Sequence, residues 1–357
     1  MVCALSTAFV QRGAPAMFST EDRALMALNC GADLVIGIPV SFSCAPADRF
    51  AAGGAGVLEA LNAVTHLAFG AENAENASLL YRAAQALAFE DERFKSELHA
   101  ALETGLSYPA AQGRALFKCS GVPEEIVKKP NNTLAIAYMK RLLLSGSGII
   151  PLPVRRLGSR TGSHSDGFLP SSALRQMISA GETKRLVDEL PEGSLRVVRE
   201  CLDGGRVCMP GALDQAVLAR LYTMTGEQLS RCCGSREGLD RLLIKRLRES
   251  PRSVEELIAG VKTKRYTHTA ISRCVMRALL GLAMAEPDKS PAYIRIIGFR
   301  SSAAPLLRHI SQSALLPVIS TPAAGREHLG QDALAEQIWS LSCCPSRSLW
   351  RQRPVII

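Results

Sequence analysis

Several features that mark particular protein classes are absent from this chain of 357 residues. It has no Cys-x-x-Cys pair, and aromatic residues make up only 5% of it. It has no apolar run of roughly 18 residues, and no basic segment precedes an apolar run at its N-terminus, so we expect neither a membrane span nor a secretory signal. Its eleven cysteines are scattered or sit as adjacent pairs, from which we predict reduced, buried thiols in a cytoplasmic protein and no metal site.

The composition indicates a basic globular protein with an aliphatic core. Hydrophobic residues make up 47% of the chain, and 42 Lys and Arg against 33 Asp and Glu give a net charge of +9. The length allows one large domain or two medium ones. This moderate excess suits contact with phosphate backbones, although many basic proteins bind no nucleic acid.

The pattern of apolar runs divides the chain into two predicted domains. In residues 1–178, short apolar runs alternate with helical stretches, which is typical of a Rossmann-like parallel α/β sheet. An apolar strand at 32–39 is followed by a helix that begins near Asp48, and a second strand ends at Gly70. Residues 179–357 carry mostly charged, helix-periodic segments with one apolar run at 293–299. We therefore predict an α/β domain followed by an α-rich domain.

Polar residues and a glycine lie where strands of the first domain are predicted to end. Gly70 ends a strand, Arg156 follows another, and Asn131 and Asn132 precede a helix. Ligands of parallel α/β sheets bind at the carboxyl ends of the strands. Each residue also has a plain structural reading: a turn glycine, a solvated charge or a helix N-cap. Both readings stay open on the residues alone.

Two further segments combine hydroxyl groups, cations and an aromatic ring. Ser172 and Arg175 lie in the first turn of a predicted helix, an arrangement that can bind phosphate without a metal and that is also an ordinary helix start. Lys264, Arg265 and Tyr266 place two cations beside an aromatic residue, which suits phosphate contact and base stacking but equally a solvated helix start.

Several short runs together resemble one family, the bacterial tRNA(Met) cytidine acetate ligases. The family has a Phe-x-Gln-Arg-Gly run, an Asp-Leu-Val-Ile strand, a Ser-Ala-Asp helix start, a Phe-Gly-Ser-Glu turn, a Ser-Ala-Thr-x-Ile-Arg element and a Thr-Lys-Arg-Tyr-Thr run. The similar segments here are residues 9–13, 33–39, 46–51, 69–72, 170–175 and 263–267. Smaller departures are Gly37 for Glu and Ala71 for Ser.

The resemblance implies an activity and a set of site residues. The family activates acetate with ATP, with Mg²⁺ as a chemical expectation, and acetylates N4 of the wobble cytidine of elongator tRNA(Met). By motif position, the ATP-binding residues are Gly70, Asn131, Arg156, Leu157, Ser172 and Arg175. The tRNA-binding residues are Lys264, Arg265 and Tyr266. The implied partners are ATP, acetate and tRNA(Met), with no membrane.

One family motif is missing from this sequence. Relatives begin with a strand followed by an H-x-G-H motif that holds the ATP phosphates, and none of the six histidines here has that spacing. No catalytic residue is therefore identifiable. A strand–turn–helix unit of roughly thirty residues is expected before Met1. Either the start is assigned too late or the chain is a degenerate copy. We expect the sequence as printed to fold poorly and adenylate weakly, with two strands next to the missing one left unpaired.

Two other functions are compatible with these patterns. An adenylyltransferase that acts on a small metabolite would use the same α/β domain and would not need the basic second domain. A tRNA-binding remnant would keep affinity for tRNA without forming an adenylate. Activity that is independent of tRNA would support the first, and tRNA affinity without adenylate formation would support the second.

Overall fold

The computed structural model describes residues 1–106, 108–156, 169–234, 238–263, 265–284, 290–343, 350 and 352–357. These residues form two compact units. Unit 1 contains residues 1–62 and the described residues from 169 onward, and unit 2 contains residues 63–156. The sequence predicts a boundary after residue 178 between an α/β domain and an α-rich domain. The two compact units are defined by contacts and not by function, so that boundary stays a prediction.

The strands and helices are numbered in chain order. The strands of unit 1 are β1 (Val2–Ser6), β2 (Phe9–Val10), β3 (Ala14–Pro15), β4 (Leu34–Ile38), β7 (Ile294–Phe299), β8 (Val318–Ile319) and β9 (Val355–Ile356). Those of unit 2 are β5 (His66–Ala71) and β6 (Ile150–Arg155). The helices of unit 2 are α4 (Ala77–Ala88), α5 (Glu92–Glu103), α6 (Tyr108–Ser120), α7 (Glu124–Val127) and α8 (Pro130–Ser145).

Most helices belong to unit 1. Before unit 2 they are α1 (Thr20–Asn29), α2 (Val40–Ser43) and α3 (Ala47–Ala60). After it they are α9 (Ser171–Ser179), α10 (Glu192–Asp203), α11 (Asp214–Thr223), α12 (Gly226–Cys233), α13 (Leu239–Leu247), α14 (Val254–Val261), α15 (His268–Leu280), α16 (Ala304–Ser313) and α17 (Gly330–Ser340).

The sheet of unit 1 is mixed. Strand β1 pairs in parallel with β4, β4 pairs antiparallel with β7, and β7 pairs in parallel with both β8 and β9. All five residues of β4 are buried, as expected for a strand covered on both faces. The α/β class is confirmed, but the sheet is not purely parallel. The strand expected at 293–299 exists, and it joins the same sheet as β1 and β4 rather than a separate α-rich body.

Unit 2 is built on a small parallel sheet. Strands β5 and β6 pair from His66 with Ile150 to Ala71 with Arg155. Residues of β5 alternate between exposed and buried, so one face of this pair packs on helices. Residues 77–103 form two helices rather than one, because α4 ends at Ala88 and α5 begins at Glu92. Asp91 stops a continuous helix: its carboxylate accepts the Phe94 N–H at 2.7 Å as an N-cap.

Helices α11 to α15 share an aliphatic core within unit 1. Cys233 and Cys274 in this core are disulfide-bonded and join α12 to α15. The expectation of reduced thiols is therefore wrong for this pair. No local sequence pattern predicts this disulfide, since the two cysteines are 41 positions apart. In the described part of the chain, no helix is both long enough and apolar enough to cross a membrane.

Candidate functional site

The end of β5 and the start of α8 are bound to each other through Glu72. One carboxylate oxygen, Oε1, accepts hydrogen bonds from the Asn131 backbone at 3.2 Å and from Asn131 Nδ2 at 2.7 Å. The other, Oε2, accepts the Asn132 N–H at 2.8 Å. Amides in the first turn of a helix have no partner within the helix, and an acidic group there is favourable. Glu72 thus caps α8 from another element.

Asn132, at the start of α8, in turn forms hydrogen bonds with the residues that follow β5. Its side chain is fully buried, and Oδ1 accepts the backbone N–H groups of Glu72 and Asn73 at 2.9 and 3.2 Å. Its Nδ2 donates to Asn73 Oδ1 and to the Ile126 carbonyl, both at 3.0 Å. The expectation that an asparagine caps this helix is therefore replaced by a two-way clamp in which Glu72 caps the helix and Asn132 caps the turn.

Three of the expected ATP-binding residues come together next to this clamp. Arg156 Nη1 donates to Asn131 Oδ1 at 3.0 Å. A Cβ on Gly70 would lie 3.0 Å from Arg156 Cγ, so a larger side chain there would press on the arginine. Gly70 and Arg156 are exposed, and Asn131 is half-buried. The strand end thus presents a guanidinium, a carboxamide and open backbone to solvent, a set that suits a phosphate or nucleotide.

The other two described ATP-site residues lie on α9 in unit 1. Ser172 and Arg175 are exposed, and no side chain caps this helix. Partial desolvation of the Arg175 guanidinium lowers its pKa, and the positive charge of the nearby Arg12 lowers it further. Two neighbouring guanidinium groups repel each other, and a bound anion would relieve that repulsion. Leu157 lies outside the described residues.

The turn that carries Gln11 and Arg12 joins β2 to β3 and rests on α15. Arg273 Nη1 donates to the Gln11 carbonyl at 3.3 Å, and the Ser272 hydroxyl donates to the Gly13 carbonyl. Helix α15, which follows the Thr-Lys-Arg-Tyr-Thr run, therefore supports the Gln-Arg-Gly turn in the same unit. The sequence analysis placed this turn and the residues of α15 in different domains and missed their contact.

The expected tRNA-binding run begins immediately before α15. Arg265 is exposed, and its guanidinium carbon lies 5.6 Å from the centre of the Tyr266 ring. Tyr266 itself is only 6% exposed and belongs to the helical core, so its ring supports Arg265 rather than standing open to a base. Lys264 lies outside the described residues. Among the residues that are described, no group of His, Cys, Asp or Glu is arranged to hold a metal ion.

Glu72 is the main site residue to which the sequence analysis gave no role. It ends the Phe-Gly-Ala-Glu run at 69–72, so its place in that run was the only signal available. A buried cluster in unit 1 was missed as well: Asp332 on α17 binds the Thr7 hydroxyl after β1 and the Val40 N–H after β4. These partners are about 300 residues apart in sequence, and no local pattern predicts such a pairing.

Comparisons with known proteins identify the family. The model of the HIGH Nucleotidyl Transferase family matches residues 1–350. A tRNA(Met) cytidine acetate ligase of Acetivibrio thermocellus is 34% identical over 335 residues, covering 89% of this chain and 80% of the relative. One from Halothermothrix orenii is 30% identical over 337 residues, covering 90% and 79%.

Solved structures are also similar. The crystal structure of Thermotoga maritima TmcAL bound with alpha-thio ATP has a TM-score of 0.91 and 25% identity, covering all of this chain and 92% of that one. The apo form of the same protein has a TM-score of 0.93 and 26% identity over the same shares. The chain belongs to the tRNA(Met) cytidine acetate ligases of the HIGH nucleotidyl transferase family.

Proposed function

We propose that this protein activates acetate with ATP and transfers the acetyl group to N4 of the wobble cytidine of elongator tRNA(Met). The observation that carries the proposal is the cluster of Gly70, Asn131 and Arg156 at one strand end, where the guanidinium and the carboxamide are joined at 3.0 Å. Similarity to acetate ligases, and to a relative crystallised with an ATP analogue, supports ATP as the ligand.

The first chemical step forms an acetyl-adenylate. An acetate oxygen attacks the α-phosphorus of ATP, the bond to the β-phosphate oxygen breaks, and pyrophosphate leaves. No covalent nucleophile of the protein is required, only positioning and stabilisation of negative charge. Arg156 and Asn131 would hold the nucleotide, and the open backbone at Gly70 would let it approach closely.

Ser172 and Arg175 are the other described residues that the resemblance assigns to ATP. They stand at the start of α9, with Arg12 close to Arg175. Two neighbouring guanidinium groups beside a hydroxyl suit an anionic phosphate group, which is the role we propose for them. Mg²⁺ would arrive with the phosphates of ATP, and we assign it no protein ligand.

The second step transfers the acetyl group to RNA. The N4 amine of cytidine attacks the acetyl carbonyl, AMP leaves, and the amine loses a proton. Lys264, Arg265 and Tyr266 are the proposed tRNA-binding run, in which exposed Arg265 contacts phosphate and buried Tyr266 holds it in place. A cytoplasmic location follows from this proposal, since the tRNA substrate is there.

The decisive test measures both steps on the full chain. We expect exchange of labelled pyrophosphate into ATP that depends on acetate, and acetylated cytidine in tRNA(Met) by mass spectrometry. ATP affinity is measured by calorimetry as well. Arg156→Gln should weaken ATP binding, whereas Arg155→Gln, the exposed neighbour at the end of β6, is the matched control.

Other outcomes would contradict the proposal in distinct ways. Adenylate formation that proceeds equally with or without tRNA and leaves the cytidine unmodified would indicate a small-metabolite adenylyltransferase. Affinity for tRNA with no ATP binding would indicate an RNA-binding remnant.

A further inference from the structure

We propose that Glu72 is a positioning residue for ATP: it sets the orientation of the Asn131 side chain and, through it, the place of Arg156. This inference rests on the proposed function and names a group that acts on the nucleotide indirectly. All residues involved lie in unit 2, on the end of β5, the start of α8 and the end of β6.

The carboxylate determines which end of the Asn131 amide faces Arg156. Glu72 receives three N–H donors, so its two oxygens act only as acceptors. The Asn131 group that points at it must therefore be the NH₂, which leaves Oδ1 on the opposite side. Arg156 can only donate, and it reaches that Oδ1 at 3.0 Å. The order carboxylate, amide, guanidinium is the only one in which every hydrogen bond has a donor and an acceptor.

Glu72 is itself held in place by Asn132. The Glu72 and Asn73 N–H groups both donate to the buried Asn132 Oδ1. Lys129 Nζ donates to Asn73 Oδ1 at 2.9 Å on the same turn. Hydrogen bonds thus run from the strand end to Asn132 and from the helix start to Glu72. Because these bonds fix the Glu72 carboxylate, it cannot move with the Asn131 side chain if that side chain rotates.

The Glu72 carboxylate also takes up the free backbone N–H groups at the start of α8. Two of the backbone amides that could bind an anion there, those of Asn131 and Asn132, already donate to Glu72. A phosphate group at this strand end therefore cannot use those two amides, and Arg156 is the cation beside them that can bind it. Phosphate binding therefore depends more on the position of Arg156 here than it does in sites where the free amides of a helix N-terminus bind the phosphate.

Glu72→Gln tests the inference with nearly unchanged side-chain volume. The glutamine keeps only one acceptor oxygen. An NH₂ in the place of Oε1 would face the two Asn131 donors and force Asn131 to turn, and an NH₂ in the place of Oε2 would face the Asn132 N–H, so in either orientation the clamp loses at least one of its three hydrogen bonds. We expect ATP to bind about tenfold or more weakly, which corresponds to the loss of one hydrogen bond to a charged group. Turnover at saturating ATP should change by less than about threefold, because Glu72 does not touch the reacting atoms.

A double-mutant cycle separates positioning from general stability. If Glu72 acts through Asn131, Glu72→Gln should have little further effect on the Kd for ATP in an Asn131→Ala background. Glu75→Gln is the matched control: Glu75 lies on the same turn, is exposed, and accepts one bond from Asn73 at 3.0 Å. It should bind ATP like the wild-type protein. Circular dichroism confirms that each variant is folded.

Each outcome has a defined meaning. Wild-type affinity in Glu72→Gln, or equal losses in both backgrounds of the cycle, overturns the inference and leaves the proposed function intact. Absence of ATP binding by the wild-type protein overturns the proposed function, and the inference with it. Weaker binding in Glu72→Gln that disappears in the Asn131→Ala background supports both.

Discussion

The backbones of Gly13 and Arg273 lie in direct contact. A Cβ placed on Gly13 would lie 2.6 Å from Arg273 Cα, closer than two carbon atoms can come without a shift of one backbone. Gly13 also has a φ of +75°, a conformation that L side chains rarely adopt. The Gln-Arg-Gly turn can therefore sit on α15 only with glycine at this position.

Gly13→Ala should destabilise the protein through both effects. Gly31→Ala is the control, because Gly31 has a φ of +106° but nothing within 4 Å of its Cβ position. We expect a loss of about 1–2 kcal/mol for the control and about 2 kcal/mol more for Gly13→Ala, measured by denaturant unfolding. Equal losses in the two variants would mean that contact with Arg273 contributes nothing.

The buried carboxyl of Glu21 should make stability depend on pH. Burial, together with Glu336 nearby, raises the pKa of Glu21 from 4.5 to about 7. Between these two values the folded state keeps a proton that the unfolded chain releases. The free energy of unfolding must therefore fall as the pH rises through this window, by about 3 kcal/mol for this group.

Glu21→Gln removes the charge and should remove that slope. We expect the variant to be more stable than the wild-type protein at pH 8, by about 2–3 kcal/mol, and no more stable at pH 4.5. Thermal unfolding at both pH values measures the difference, with Glu327→Gln, whose side chain is 81% exposed, as control. A stability difference that is the same at the two pH values would contradict the assignment.

The part of the fold that sequence predicts well has a local cause. Helix α14 runs from Val254 to Val261 within the helix-periodic segments predicted for residues 179–357, with Ser253 accepting the Glu256 N–H as its N-cap. Strand β4 was expected within 32–39 and spans Leu34–Ile38. Apolar periodicity, buried runs and caps all act within a few residues, so one sequence is enough to read them.

What the sequence does not predict depends on residues that are far apart along the chain. The contact between Gly13 and Arg273 spans about 260 residues, and the Glu72 clamp on α8 spans about 60. Neither leaves a periodic trace in the sequence. Motif resemblance marked Gly70, Asn131 and Arg156, but only the coordinates show that Glu72 accepts hydrogen bonds from Asn131.

Reduction of the disulfide between Cys233 and Cys274 should lower stability. The bond closes a loop with a sequence separation of 41. Without it the unfolded chain gains conformational entropy, which lowers the free energy of the unfolded state by about 4 kcal/mol. We expect unfolding under dithiothreitol to lose about 2–4 kcal/mol relative to non-reducing buffer. A Cys233→Ser/Cys274→Ser variant should be insensitive to the reductant, whereas Cys232→Ser should respond like the wild-type protein. Mass spectrometry of the unreduced chain that finds both thiols free would contradict the bond.

Asp332 connects the C-terminal helix α17 to the carboxyl ends of two strands. It accepts the Val40 N–H at 3.0 Å and the Thr7 hydroxyl at 3.3 Å, and the Tyr293 hydroxyl also donates to it. Burial raises the pKa of Asp332, while the charge of Arg295 and then the hydrogen bonds from Tyr293 and Val40 oppose that rise. Substitution of Asp332 by Ala and by Asn separates the contribution of the hydrogen bonds from that of the charge.

Asp332→Ala should cost about 3–5 kcal/mol, because it leaves the Val40 amide and the Tyr293 hydroxyl buried without a partner. Asp332→Asn should cost about 1 kcal/mol or less, since its carbonyl oxygen can accept from Val40 and its amide can donate to the Tyr293 oxygen. Denaturant unfolding and hydrogen exchange at the Val40 amide measure both effects, with exposed Gln331→Ala on the same helix as control. If Asn were as damaging as Ala, the charge of Asp332 would be the essential property. If neither variant altered exchange at Val40, α17 would not hold the end of β4.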